Sequence, residues 1–269
     1  MRLARPDRFI KSNNDPALAM VEINNESSLL GAWQRKELDQ LKGEYERLLQ
    51  QQWQHWIVRQ FGSLSKACEV WGSCGAVKQG ALLVKADETQ ILNVGEGYLA
   101  RIQHWLKRIL QRLNVNSSAV LAPDFQLHQT GAGRRVLDFT RFLVEMDRQY
   151  LDQMRKTIRA EVGELVPITG TQMYFGGVLN ADSQRDMDYL DEHFYVDHYD
   201  FPHQPWDNND WRIRDQSVLS DGLSSLLRRA FYRDVNKRFV LSEFNQPYPN
   251  RQGAEIIPVV SAIASMVRP

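Results

Sequence analysis

Short apolar runs that stop abruptly in polar clusters alternate along this chain with longer stretches in which apolar residues recur every three to four positions. Residues 17–23 (ALAMVEI) follow Asp15-Pro16 and stop at Asn24-Asn25-Glu26, the pattern of a buried strand that ends at a rim. Residues 34–60 carry Leu38, Leu41, Tyr45, Leu48, Leu49, Trp53 and Trp56 near a helical period, and Gly62-Ser63 ends the stretch. A short helix is expected over 64–71. Between 72 and 133, Gly72, Gly75 and Gly80 mark turns, and the pattern suggests a strand at 82–85, a helix at 98–113 and a strand at 117–128. Helical spacing resumes over 134–162, with Gly163 as its stop. Three strands follow at 165–173 (LVPITGTQM), 189–196 (YLDEHFYV) and 238–244 (RFVLSEF), with helices near 216–232 and 254–266.

Strands separated by helix-length connections favour a parallel sheet, because parallel neighbours need long crossovers. A doubly wound sheet and a (β/α)8 barrel both satisfy this order. No glycine-rich phosphate loop follows a strand, which weighs against a nucleotide-binding version. In a parallel barrel the C-terminal strand ends share one rim, where catalytic residues gather. Here those ends read Asn25-Glu26, His193-Phe194-Tyr195 and Ser242-Glu243-Phe244-Asn245, so Glu26 and Glu243 are expected to face one pocket. Each signal taken singly is commoner in structural roles, as a helix cap, a core histidine or a solvated strand end. Their combination, in this order and each at a strand end, is what carries weight.

Composition narrows the picture slightly. The 33 basic and 33 acidic residues give zero net charge, which removes any general electrostatic drive towards nucleic acid or anionic membrane. No apolar run approaches the roughly 20 residues of a membrane helix. Residues 1–11 lack the apolar centre of a signal peptide. Cys68 and Cys74 are near enough in sequence to bridge, but two thiols make no disulfide framework, and the plain reading is a pair of free, partly buried thiols.

These strand ends resemble the clan-A retaining glycoside hydrolases, most closely family 5 and its cellulase-like or mannanase-like relatives. VEINNE (residues 21–26) matches the Asn-Glu end of that clan's fourth strand, His193 and Tyr195 match the His-x-Tyr of the sixth, and Glu243 in VLSEFN matches the nucleophile of the seventh. The runs DEHFYVDHYDFP (191–202) and SEFNQPYPNRQGAE (242–255) resemble a branch of large bacterial members. The resemblance implies Glu26 as acid/base and Glu243 as nucleophile. Asn25 would bind the sugar 2-hydroxyl, Tyr195 would hold Glu243, and His193 would line the site. Gln172, His198 and Asn245 are rim candidates, and Trp206 and Trp211 are candidates for stacking on sugar rings or for packing their own loop.

The implied fold is α/β, a partial (β/α)8 TIM barrel of about strands four to seven, formed by residues 1–71 and 134–269, with 72–133 as an insertion or lid. On that reading about 90 barrel residues precede Met1, strand eight is not visible, and the chain alone is expected to be poorly soluble or inactive. The expected activity is hydrolysis of O-glycosidic bonds in a β-linked poly- or oligosaccharide, with no cofactor, no nucleic acid, no membrane and no specific protein partner implied. Secretion or export to the periplasm is the location implied. The alternatives are an inactive carbohydrate-binding remnant and, from another class, a helical interaction module built on 34–60 and 134–162. The set His193, His198, His203, Asp197 and Asp200 invites a metal reading, but its five-residue spacing does not match a common zinc site.

Overall fold

The computed structural model describes residues 18–72, 84, 131–230 and 232–266. The elements expected within 85–130 lie outside the described residues, as does the strand at 82–85 apart from Val84. In chain order the structure has β1 (Val21–Glu22), α1 (Leu29–Gln34), α2 (Glu44–Phe61), α3 (Leu64–Trp71), α4 (Gly131–Val162), β2 (Ile168–Thr169), α5 (Asn180–Ser183), β3 (Tyr189–Tyr195), α6 (Leu223–Ala230), β4 (Arg238–Asn245) and α7 (Ile256–Met266). Single 3-10 turns add Leu38–Gln40, Met173–Phe175, Gly177–Leu179 and Gly253–Glu255, and one π-helical turn, Val218–Gly222, leads into α6.

The one long helix expected over 34–60 is broken. Leu38 and Leu41 belong to a separate turn and the loop after it, and Gly43 at φ +64° redirects the chain before α2. The carboxylates of Glu44 and Glu46 then sit in the first turn of α2, where the helix dipole favours them. Gly62, in the left-handed conformation, donates to the Val58 carbonyl at 2.8 Å and ends α2, and the Ser63 hydroxyl caps α3 by accepting from Lys66 N at 3.2 Å. Gly163 closes α4 in the same left-handed way, donating to Arg159 at 2.9 Å. Cys68 is disulfide-bonded, which corrects the expectation of a free thiol.

The chain divides into two compact units, 1–28 with 146–269, and 29–145. The helices over 29–71, which the sequence pattern groups with the strands, cluster instead with the first part of α4. The core of unit 29–145 is aromatic. Trp53 is fully buried and lies 5.1 Å from Trp56, 5.9 Å from Trp71, 5.1 Å from Phe139 and 5.2 Å from Phe142 between ring centroids. Buried indole N–H groups each need an acceptor. Trp33 donates to the Val84 carbonyl at 2.8 Å, Trp56 to Glu145 at 2.6 Å and Trp71 to Asp138 at 2.9 Å.

In the other unit, β1 pairs with β2 and β3 with β4, both in parallel. A parallel bridge, Gln172 to Asp191, joins the two pairs, so neighbours follow chain order. Backbone bonds extend the first pair beyond its two-residue strands: Val21 N donates to Pro167 O at 2.9 Å, Ile23 N to Thr169 O at 3.1 Å and Asn24 N to Gly170 O at 2.9 Å. Asp188 ties α4 to β2, taking Arg155 at 2.8 Å, Arg159, and the Ile168 N–H at 2.7 Å. Burial works to raise its pKa, but these partners hold it below the usual carboxylate value. Phe194, Val196, Val218, Leu226 and Ile256 form the apolar cluster beneath β3 and β4.

Truncating the central indole, Trp53→Ala, removes the ring that four others contact and is expected to cost about 3–5 kcal/mol. Urea denaturation of the two proteins measures it, and a loss below 1 kcal/mol would mean that this aromatic core is not what holds the unit together.

Candidate active site

β3 is buried along its whole length except at Tyr195, yet it carries Asp191, Glu192 and His193 in consecutive positions. Buried ionisable side chains need partners, and each of these three has at least one. The decisive local feature is in β4. Register runs from Tyr189 opposite Arg238 to Glu192 opposite Leu241, then slips, so that His193 lies opposite Glu243 and Tyr195 opposite Asn245. Ser242 is the extra residue of this bulge. Its N–H and hydroxyl both turn to Asp191, at 3.0 and 2.5 Å. Successive strand residues alternate between faces, so a one-residue slip exchanges them. Without the bulge Glu243 would stand opposite Phe194, away from the histidine.

Glu26 enters from the turn after β1. It has φ +51°, unusual for a residue with a side chain, and its N–H donates to Gln172 Oε1 at 2.7 Å. Its Oε1 is 2.7 Å from His193 Nδ1, and the same nitrogen is 3.4 Å from Glu243 Oε2. The three ligating atoms of Glu26, His193 and Glu243 all lie within 4.8 Å of one another. Tyr195 donates to Glu243 Oε2 at 2.5 Å. Burial, and then that bond to Glu243, push its phenol up to about 12, so it remains a donor. The two carboxylates are partly exposed, at 37% and 45%, while the imidazole between them is 4% exposed.

The structure therefore brings together Glu26, Glu243, His193 and Tyr195, residues picked out by their positions at strand ends. Asn25 is exposed beside Glu26, and Asn245 is exposed on the same strand end as Glu243. Gln172 does not belong on the rim. It is fully buried, its Oε1 is used by Glu26 N–H, and its Nε2 donates to Glu22 and, at 2.9 Å, to Asp191, which leaves no amide group for a ligand. The histidines of the metal reading go to separate partners: His198 Nδ1 to the Tyr199 carbonyl at 3.1 Å and His203 to Asp210 at 2.5 Å. A second compact group, Glu22, Asp191 and His193, also has atoms within 4.8 Å, but the Gln172 amide hydrogens already bridge its two carboxylates.

Beyond Tyr195, aromatic rings continue along the loop that follows β3. His198 is 5.7 Å from Tyr195 and 6.1 Å from Trp206, and Trp206 is 5.2 Å from Phe201. Trp206 is 72% exposed and is held at φ +64°, while Trp211 packs on Tyr199 at 5.0 Å and donates its N–H to the Asn208 carbonyl. Asp197 organises the loop. Burial acts to raise its pKa, but the N–H groups of Arg214 and Gln216 and the amide of Asn250 hold it low.

Four contributors escaped the pattern reading: Glu22, Asp191, Glu192 and Ser242. A signal existed, since carboxylates within apolar strand runs such as VEI and YLDEHFYV are rarely buried without a task. Glu192 is fully buried, accepts from Tyr174 N–H at 2.6 Å, and has its second oxygen 3.6 Å from Arg229 Nε. Arg229 also covers the Tyr174 ring, 4.0 Å from its centroid, and donates to the His193 carbonyl at 3.0 Å. Comparison with protein-family models, with curated proteins and with solved structures returned no match.

Burial raises the pKa of Glu192 from 4.5 to about 7, against the pull of Arg229. Between these values the unfolded carboxyl is ionised while the folded one keeps its proton. The contribution of this residue to stability therefore falls as pH rises from 4.5 to about 7 and levels off above that. Urea midpoints across this range should decline less in Glu192→Gln, the difference amounting to roughly 3 kcal/mol. Parallel pH profiles for the two proteins would refute the assignment.

Proposed function

We propose that these residues form the catalytic centre of a retaining glycoside hydrolase of the family-5-like, (β/α)8 class, acting on a β-linked poly- or oligosaccharide by double displacement. The observation that carries the reading is the approach of Glu26 and Glu243, 217 positions apart in sequence, to within 4.8 Å between carboxylate oxygens. Retaining enzymes hold the pair about 5–5.5 Å apart, whereas inverting ones leave about 6.5–9.5 Å for a water molecule. Parallel strands that neighbour one another in chain order, with polar residues gathered at their C-terminal ends, agree with an arc of such a barrel.

On this reading, Glu243 attacks the anomeric carbon while Glu26 gives its proton to the departing glycosidic oxygen. The carbon–oxygen bond breaks as the ester to Glu243 forms. Glu26, now a carboxylate, takes a proton from water, whose oxygen displaces Glu243 and restores both groups. Tyr195 occupies Glu243 Oε2, which leaves Oε1 for the attack. No cofactor enters these steps. The exposed ring of Trp206, one contact beyond His198, is suited to stack on a sugar next to the cleaved bond.

The test uses the longest in-frame polypeptide containing this chain and a panel of aryl β-glucosides, β-mannosides and β-galactosides. Turnover with retained configuration, seen by proton NMR of the first-formed product and abolished in Glu243→Gln, supports the reading. An inverted product, or turnover unchanged in that variant, rejects it. Trp206→Ala is expected to raise KM for oligosaccharides about 3- to 10-fold with kcat little changed; an unaltered KM would return this ring to a packing role.

A further inference from the structure

We propose that Asp191 acts through His193 as a positioning residue: it keeps a hydrogen on Nε2, so that Nδ1 accepts the proton of Glu26 and holds that carboxyl ready as the acid. The effect on turnover rests on the glycosidase reading, but the hydrogen placement does not.

Three observations lead here. The imidazole is 4% exposed, and its Nε2 is buried without a hydrogen bond, 4.0 Å from Asp191 Oδ2. Asp191, itself 1% exposed, accepts from Gln172 Nε2 at 2.9 Å, Ser242 Oγ at 2.5 Å, Ser242 N at 3.0 Å and Glu192 N at 2.9 Å. Four donors aimed at one carboxylate define a fixed negative centre. A bare nitrogen lone pair facing it is repelled, whereas an N–H is attracted, so the hydrogen belongs on Nε2. In the neutral ring Nδ1 then offers a lone pair, and its 2.7 Å approach to Glu26 Oε1 requires a proton between them.

The groups around the ring agree with this placement. Glu26 comes from the turn after β1, Glu22 from β1, Glu243 from β4 and Asp191 from β3 itself, while Arg229 of α6 meets this residue at the His193 carbonyl. Glu243 is already supplied with a donor by Tyr195. Glu26 alone lacks an outside donor to its carboxyl among the described residues, so the proton on the Glu26–His193 line serves as its own. Passing it to the leaving oxygen frees the Nδ1 lone pair, and proton abstraction from water restores the O–H···N contact.

Nitrogen-15 NMR of the imidazoles tests the placement without any need for turnover. The His193 resonances, among those of six histidines, are identified by their loss in His193→Gln. Nε2 is expected to be of the protonated, pyrrole type and Nδ1 of the unprotonated, pyridine type, and the two are expected to exchange roles in Asp191→Asn, whose amide can donate to Nε2. An unprotonated Nε2 in the unaltered protein, or no change in the variant, overturns the proposal. If the variant does not fold, the spectrum of the unaltered protein still decides. Kinetically, Asp191→Asn should lose about tenfold or more in kcat/KM on phenyl glycosides and less than about threefold on dinitrophenyl glycosides, which need little acid help. Equal losses on both substrates would make Asp191 merely structural. Absence of any turnover in the unaltered protein would sink the glycosidase reading while leaving the NMR result to judge the tautomer.

Discussion

One extra residue in a strand sets the geometry of this site. Ser242 interrupts the parallel ladder between β3 and β4, and from that point Glu243 stands beside His193 instead of beside Phe194. The slip is held open because both polar groups of Ser242 bond to the buried carboxylate of Asp191. A bulge is costly where it leaves backbone groups unpaired, and here the displaced N–H has an acceptor. The same carboxylate that accommodates the bulge also faces the imidazole that the bulge brings up to Glu243. Geometry and electrostatics of the pair therefore depend on one buried side chain.

Gln172 extends that dependence to the other acid. Its amide faces two ways: the oxygen receives the N–H of Glu26, and the nitrogen bridges Glu22 and Asp191. A carboxylate pair buried without such a bridge would repel, and one member would take up a proton. Burial does raise Glu22 above the usual carboxylate value, while the bond from Gln172 works against the rise. The left-handed backbone at Glu26 is a strained conformation that the Gln172 contact helps to hold. An asparagine at 172 would be one methylene too short to span these partners.

Much of the coarse layout was legible because apolar period and glycine stops are local properties. The ends of α2, α3 and α4 follow from Gly62, Ser63 and Gly163, and the polar strand ends pointed to Glu26, His193, Tyr195 and Glu243. What escaped depends on contacts between distant segments. Nothing near Ser242 distinguishes a bulge from a regular strand, since its acceptor lies 51 positions earlier. Gln172 looked like a rim residue because its segment ends in polar residues, but the short turn Met173–Phe175 and α5 follow at once, and the side chain is buried beneath the site. The break before α2 was hidden because Leu38 and Leu41 keep helical spacing on either side of a turn that Gly43 then redirects. Cys68 looked like a free thiol because a pair of cysteines in isolation carries no pairing signal.

Two carboxylates at short range are equivalent until their surroundings make them differ. Glu243 is met by a phenol that burial keeps protonated, so its Oε2 receives a hydrogen bond. Glu26 meets a nitrogen of a ring whose far side faces a carboxylate surrounded by donors. The asymmetry thus comes from hydrogen-bond direction rather than from unequal burial, since the two carboxyls are similarly exposed, at 37% and 45%. That distinction matters for chemistry, because a site polarised by burial alone would lose its division of labour whenever a hydrated ligand entered. A site polarised by fixed donors and acceptors keeps it, and the β3 strand supplies three of those groups, Asp191, His193 and Tyr195, on alternate positions of one face.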